Sequence, residues 1–168
     1  MTLAELNILP RYRAEEEFLK CCGSVAWARA MARRRPFASF ERLLQAASEI
    51  WWRLDETDWK EAFSSHPQIG QRIPAAHASA QSHSWSAQEQ SGAARASSGV
   101  ASALEEANRE YLAKFGYIFI VCASGKGAEQ MLAILQERLA NPPQREIRIA
   151  AEEQDQITRV RLKKLFPL

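Results

Sequence analysis

The chain has 168 residues, of which 46% are hydrophobic and 25% charged, with seven glycines and seven prolines. That is the make-up of one compact globular domain with a real core, and it excludes a disordered or collagen-like chain. Lys and Arg number 22 against 20 Asp and Glu, a net charge of +2, too weak a field to indicate nucleic acid or an anionic membrane as partner.

The N-terminal stretch MTLAELNILPRYRAEEEFLK is charged throughout and lacks the apolar centre of a secretory signal, so export is not expected. Phe18, Cys22, Val25, Ala26 and Met31 keep helical spacing and predict one long helix over 13–34, ended by Arg33, Arg34, Arg35 and the breaker Pro36. A second helix is predicted over 39–54, capped by Ser39 and burying Phe40, Leu43, Leu44, Ala47, Ile50 and Trp51. A short third helix is expected with Asp58 as its cap, stopping at His66 because Pro67 disfavours the α region for the residue before it. Residues 68–84 show no periodicity and read as a long surface loop.

A helical stretch is then predicted from Ser86 to about Ser98, and another along Val100, Leu104, Ala107, Asn108, Tyr111, Leu112 and Phe115, closed by Gly116. Residues 117–122 have β-branched and aromatic bias but no second strand to pair with, which predicts an extended segment packed between helices. The apolar run 117–123 is far short of the roughly 20 residues that span a membrane. Two more helices follow, one through Met131 to Leu139 and one along Ile147, Ala150, Gln154, Ile157, Arg161 and Leu165. The expected fold is all-α: a single-domain helical bundle, residues 1–168, of about seven to nine helices with one short extended segment. Cys21, Cys22 and Cys122 form no C-x-x-C pair and fit a reduced, cytoplasmic setting.

Some residues break their local rules. His66 is held on a stiff turn beside the long loop; it is either a site residue or a histidine answering the helix dipole. Ser86 and Glu89 fit the S-x-x-E capping box, while a helix N-terminus there would also offer N–H groups to an anionic or carbonyl ligand. Gln88 and Gln90 add side-chain amides that match a urea or imide. Arg161 falls on or beside an apolar stripe, where a guanidinium needs a partner: an acid such as Glu152, Glu153 or Asp155, a reach to solvent, or a ligand carboxylate. His77 and His83 lie in the loop without metal-ligand spacing, so no metal site is expected.

Taken together, FLKCCGSVAW (18–27), RPF (35–37), WKEAFSSHPQIG (59–70), SAQEQSG (86–92), NREYLAKFGYIFIVCA (108–123) and Arg161-Leu162 resemble the 2-oxo-4-hydroxy-4-carboxy-5-ureidoimidazoline (OHCU) decarboxylase family of urate degradation, almost from end to end. The resemblance implies an all-helical homodimer working on a small ureide, without metal or organic cofactor. It places the catalytic pair on His66 and Glu89. Substrate contacts fall on Pro67, Ser86, Ala87, Gln88, Gln90, the backbone of Phe119, Ile120, Val121, Cys122 and Ala123, and Arg161, with Arg159 as the alternative arginine. The implied reaction loses CO2 and gives (S)-allantoin. The C-terminal Phe-Pro-Leu departs from the peroxisomal address of eukaryotic members, so a bacterial cytoplasmic protein is expected. The rival readings are a non-catalytic helical binding or interaction domain and a ureide hydrolase.

Overall fold

The computed structural model describes residues 1–70 and 79–167; His77 lies outside them. Among the described residues there are nine α-helices and no strand: α1 (Leu3–Ile8), α2 (Arg11–Cys21), α3 (Val25–Arg34), α4 (Phe40–Trp51), α5 (Glu56–Ser64), α6 (Ala80–Glu89), α7 (Ser98–Phe115), α8 (Ala128–Leu139) and α9 (Pro143–Leu165). The all-α expectation holds. The chain divides into two compact units, Met1–Ala62 with Asp155–Leu168, and Phe63–Gln154, the divisions falling inside α5 and α9.

In the first unit the long helix expected over 13–34 is two helices. The chain breaks at Cys22 to Ser24, and Ser24 caps α3 by accepting from the Trp27 amide at 3.2 Å. The apolar pattern ran through the break because Cys22 is itself fully buried. Ser39 caps α4 as expected, but α5 is capped by Asp55, whose Oδ1 accepts from the Thr57 and Asp58 amides at 2.8 and 3.1 Å. Asp58 sits within the first turn. Burial, and then the neighbouring Asp55, raise its carboxyl above the usual range.

Phe18, Trp27, Met31, Leu43, Trp51 and Leu162 form this unit's core. The buried indoles find acceptors, Trp27 on the Ala47 carbonyl at 3.0 Å and Trp59 on that of Trp51 at 3.1 Å. Arg35 does more than mark a helix end: Nη1 donates to the carbonyls of Leu6 and Leu9 at 2.5 and 2.9 Å, and Nε to Ala32 at 3.0 Å.

In the second unit the loop expected over 68–84 is shorter than predicted. α6 begins at Ala80, capped by Ser79, whose Oγ accepts from the Ser82 amide at 3.1 Å. Ser86 is therefore in the body of a helix and not at its start, so the capping box and the anion-binding N-terminus read from SAQE are overturned. A 3₁₀ turn (Ala93–Arg95) then leads to α7, capped by Ser97. Gly116 closes α7 with φ +78°, the left-handed position where a side chain is disfavoured. Residues 118–123 form no strand and run, mostly buried, to the turn before α8.

Candidate functional site

The site grows from the end of α5. The His66 amide donates to the Phe63 carbonyl at 3.1 Å, and Pro67 stops the helix from continuing. The turn that follows is held at two carbonyls: Gln90 Nε2 donates to Pro67 at 3.3 Å, and Asn108 Nδ2 of α7 to Ile69 at 3.0 Å. Gly70, at φ +84°, supplies the left-handed residue that the turn requires. The imidazole reaches α9, with Nε2 2.8 Å from Oε1 of Gln154, which is fully buried. An amide oxygen only accepts, so this pairing calls for the proton on Nε2.

Next to Gln154, Glu153 Oε2 accepts the Cys122 amide at 2.6 Å. The Cys122 thiol is pushed up, first by burial, against the pull of Lys126; the Glu153 and Glu89 carboxylates push in the same direction as burial. Glu89 therefore lies within electrostatic reach of Cys122. It is also adjacent to Gln90, which grips Pro67. Three hydrogen bonds and one longer-range electrostatic interaction link these stretches: His66 with Gln154, Cys122 with Glu153, Gln90 with Pro67 beside His66, and the Glu89 charge with Cys122.

On α6 the residues divide by face. Ser82, Trp85 and Ser86 are buried and Glu89 and Gln90 half-buried, following the 3–4 spacing of one helix side, whereas Ala87 and Gln88 are exposed. His83 is on this helix and not in a loop. Glu89 is the last residue of the helix.

Arg161, in the first unit, is 2% exposed and stabilises thiolate forms of Cys21 and Cys22 electrostatically. Arg159 is half-exposed, bonded to Ser48 Oγ at 3.0 and 3.2 Å and 3.7 Å from Asp155. Asp155, offered above as a mate for Arg161, thus engages Ser48 and Arg159. No group of three or more His, Cys, Asp or Glu among the described residues is placed to hold a metal ion.

A family model described as OHCU decarboxylase matches residues 7–163. The chain belongs to that family. It is 44% identical over 156 residues to the uric acid degradation bifunctional protein TTL of Arabidopsis thaliana, a match covering 90% of this chain and 47% of that protein. It is 29% identical over 172 residues to the 2-oxo-4-hydroxy-4-carboxy-5-ureidoimidazoline decarboxylase of Amia calva, covering 99% of this chain and 95% of that one. The chain thus spans about half of the plant protein and nearly all of the fish one.

A crystal structure of OHCU decarboxylase in the presence of (S)-allantoin superposes with a TM-score of 0.78 at 39% identity, covering 90% of this chain and 97% of that one. A crystal structure of (S)-allantoin synthase matches in fold, with a TM-score of 0.75 at 17% identity over 99% of this chain and 54% of that one.

In this OHCU decarboxylase family member, Gln154, Glu153 and Asn108 were missed as site-building residues. Gln154 carried the same signal that singled out Arg161, a polar side chain on an apolar stripe, and that signal applies to both.

Proposed function

We propose that this chain converts the OHCU ureide to (S)-allantoin by decarboxylation, with His66 and Glu89 as the catalytic pair. The observation that carries the reading is the set of hydrogen bonds that, with the Glu89 charge acting on Cys122, links the His66 turn, the end of α6 and the Cys122 segment within one unit. That linkage supports a shared site for the motif residues of three separate sequence stretches.

The chemistry suits such a site. Breaking the bond to the carboxylate releases CO2 and leaves an electron pair on the ring carbon. That pair moves toward the adjacent ring imine, whose nitrogen takes a proton, so the substrate serves as its own electron sink and no pyridoxal or thiamine is required. Protonation on carbon, with loss of the hydroxyl proton, then gives the ketone of allantoin, and one face gives the (S) product. His66 is suited to moving these protons, because an imidazole can gain or lose one near neutral pH. Glu89 orients the imidazole or bonds the substrate hydroxyl. Ser86, Gln90 and the backbone of 119–123 grip the ureido and ring carbonyls, and Pro67 shapes the wall.

The three free, buried cysteines support a reducing, cytoplasmic setting. Assembly as a homodimer is proposed from the family resemblance and is tested by light scattering of the purified protein.

The function is tested by generating the substrate freshly from urate and following CO2 together with circular dichroism at allantoin's absorbing wavelengths. Stoichiometric CO2 and a dichroic signal rising faster than spontaneous decay are expected. Release of a ring-opened acid without CO2 refutes the reading in favour of a hydrolase, and neither product refutes it in favour of a binding domain.

A further inference from the structure

The segment 119–123 lacks a strand partner, and three of its backbone groups are held singly by charged side chains. Arg138 Nη1 donates to the Ile120 carbonyl at 2.7 Å. Glu153 accepts the Cys122 amide, and Lys126 Nζ donates to the Cys122 carbonyl at 2.7 Å. In a planar trans peptide the C=O and the next N–H point in opposite directions. Holding these three groups therefore aims the Val121 N–H, the Val121 carbonyl and the Ala123 N–H away from Arg138, Glu153 and Lys126 respectively. Among the described residues none of those three groups meets a protein partner, although Val121 and Ala123 are each only 4% exposed. Buried backbone groups are otherwise almost always satisfied.

Arg138 is itself built into a buried network. Its Nε and Nη2 lie 2.7 and 2.6 Å from Glu146 Oε1. Glu146, fully buried, also accepts from Tyr111 Oη at 2.5 Å and Asn141 Nδ2 at 2.8 Å. The guanidinium lies 4.7 Å from the centroid of the Phe119 ring. A buried ion pair is a poor device for stability, since well-packed apolar residues often serve as well. A planar fork clamped by a carboxylate on two of its N–H groups is a good device for direction. The third N–H has one orientation, and the Ile120 carbonyl lies along it.

We propose that Arg138, clamped by Glu146, is a positioning residue for the decarboxylase reaction: it sets the Ile120–Val121 peptide plane so that the Val121 N–H meets a carbonyl of the ureide. This rests on the function proposed above, in which backbone groups of 119–123 hold the substrate.

The test is Arg138→Lys in the full chain, which keeps a positive charge beside Glu146 but cannot serve both the carboxylate and Ile120. In the free protein the Ile120 carbonyl ¹³C resonance should shift on substitution, reading the lost bond without any ligand. On titration with (S)-allantoin the Val121 amide of the parent should shift markedly, and the shift should at least halve in the variant. kcat/KM should fall tenfold or more. Tyr111→Phe, which removes a hydroxyl that donates to Glu146 and accepts a long 3.4 Å bond from Arg138 Nη2 but leaves the Arg138–Glu146 pair and the Ile120 bond in place, should keep near-parental kcat/KM even if its melting temperature falls.

A folded Arg138→Lys with parental kcat/KM and an unchanged Val121 shift overturns the proposal, as does equal loss of activity in Tyr111→Phe. If Arg138→Lys does not fold, the parental titration decides: a Val121 amide unmoved at saturation overturns the proposal, and a large shift supports it. A parent that forms no (S)-allantoin sinks the functional reading separately, because the Ile120 resonance reports the peptide plane whatever the reaction.

Discussion

Gly92 is the residue whose substitution the structure predicts most sharply. Its backbone is ordinary, at φ −64° and ψ −34°, so replacing it with alanine should by itself stabilise the protein by about 0.4–1 kcal/mol through the unfolded chain. Packing reverses the sign. A Cβ built on Gly92 falls inside the 3.0 Å limit against the Lys126 carbonyl oxygen, 3.1 Å from its carbon and 3.3 Å from Gly127 Cα. All three are backbone atoms, so no rotamer relieves the overlap and the turn before α8 must move away from the end of α6. Overpacking of this kind costs about 1–3 kcal/mol, leaving a net loss of roughly 1–2 kcal/mol when the entropic gain is subtracted. For a chain of this size that is a drop in Tm of roughly 2–8 °C.

The displacement also separates Glu89 and Gln90 from the Cys122 segment, and misplacement by about 1 Å can cost a hundredfold in rate. Calorimetry and CO2 release on Gly92→Ala measure both effects. A variant that melts at or above the parental temperature with unchanged kcat/KM refutes the close approach and the coupling drawn from it.

His66→Ala should lower kcat by roughly 10²–10⁴, the usual worth of a proton-transfer group, with Tm within a few degrees of the parent; a folded variant turning over at near-parental rate removes His66 from the mechanism. Gln154→Leu keeps a side chain of similar size in a fully buried position but removes the acceptor for Nε2, and should lower kcat about tenfold or more while KM changes little; unchanged kcat means that the imidazole is oriented by something else. Alkaline stability follows from the buried thiols. Cys22 is pushed up to about 12 from an ordinary value of 9.0, and Cys21 is pushed up as well, burial being the leading cause in both. Below pH 9 folded and unfolded chains bind the same protons at these groups; above it only the unfolded chain releases two, so stability should fall by about 2.7 kcal/mol per pH unit as pH climbs from 9 toward 12. Urea midpoints at pH 8.5, 9.5 and 10.5 check this, and a flat series contradicts it.

Helices with sharp ends could be read from sequence. Ser39 and Gly116 bounded α4 and α7 because a hydroxyl cap and a left-handed glycine are local chemistry. The break between α2 and α3 was hidden because Ser24, its cap, is buried within a continuous apolar pattern. The start of α6 was hidden because AQSHS offers small polar residues with little periodicity, and Ser86 looked like a cap when it is a buried residue of the helix face. The motifs brought His66 and Glu89 into view. The pairings that build the site around them could not be read, because Gln154 is 88 positions from His66 and Arg138 is 18 from Ile120. Spacing rules describe neighbours on one element, and these partners belong to different ones.

Arg35 has a further effect at the other end of the chain. α1 has six residues, far below the dozen or more at which an isolated helix persists in water. One carbonyl of its last turn, that of Leu6, and that of Leu9 are tethered by one guanidinium, with Asn7 clasping the Phe37 backbone at 2.9 Å on both its amide and its carbonyl. The N-terminus therefore behaves as a latch with few fastenings: neutralising Arg35 should let the first ten residues fray into protease-sensitive chain while the remaining helices persist.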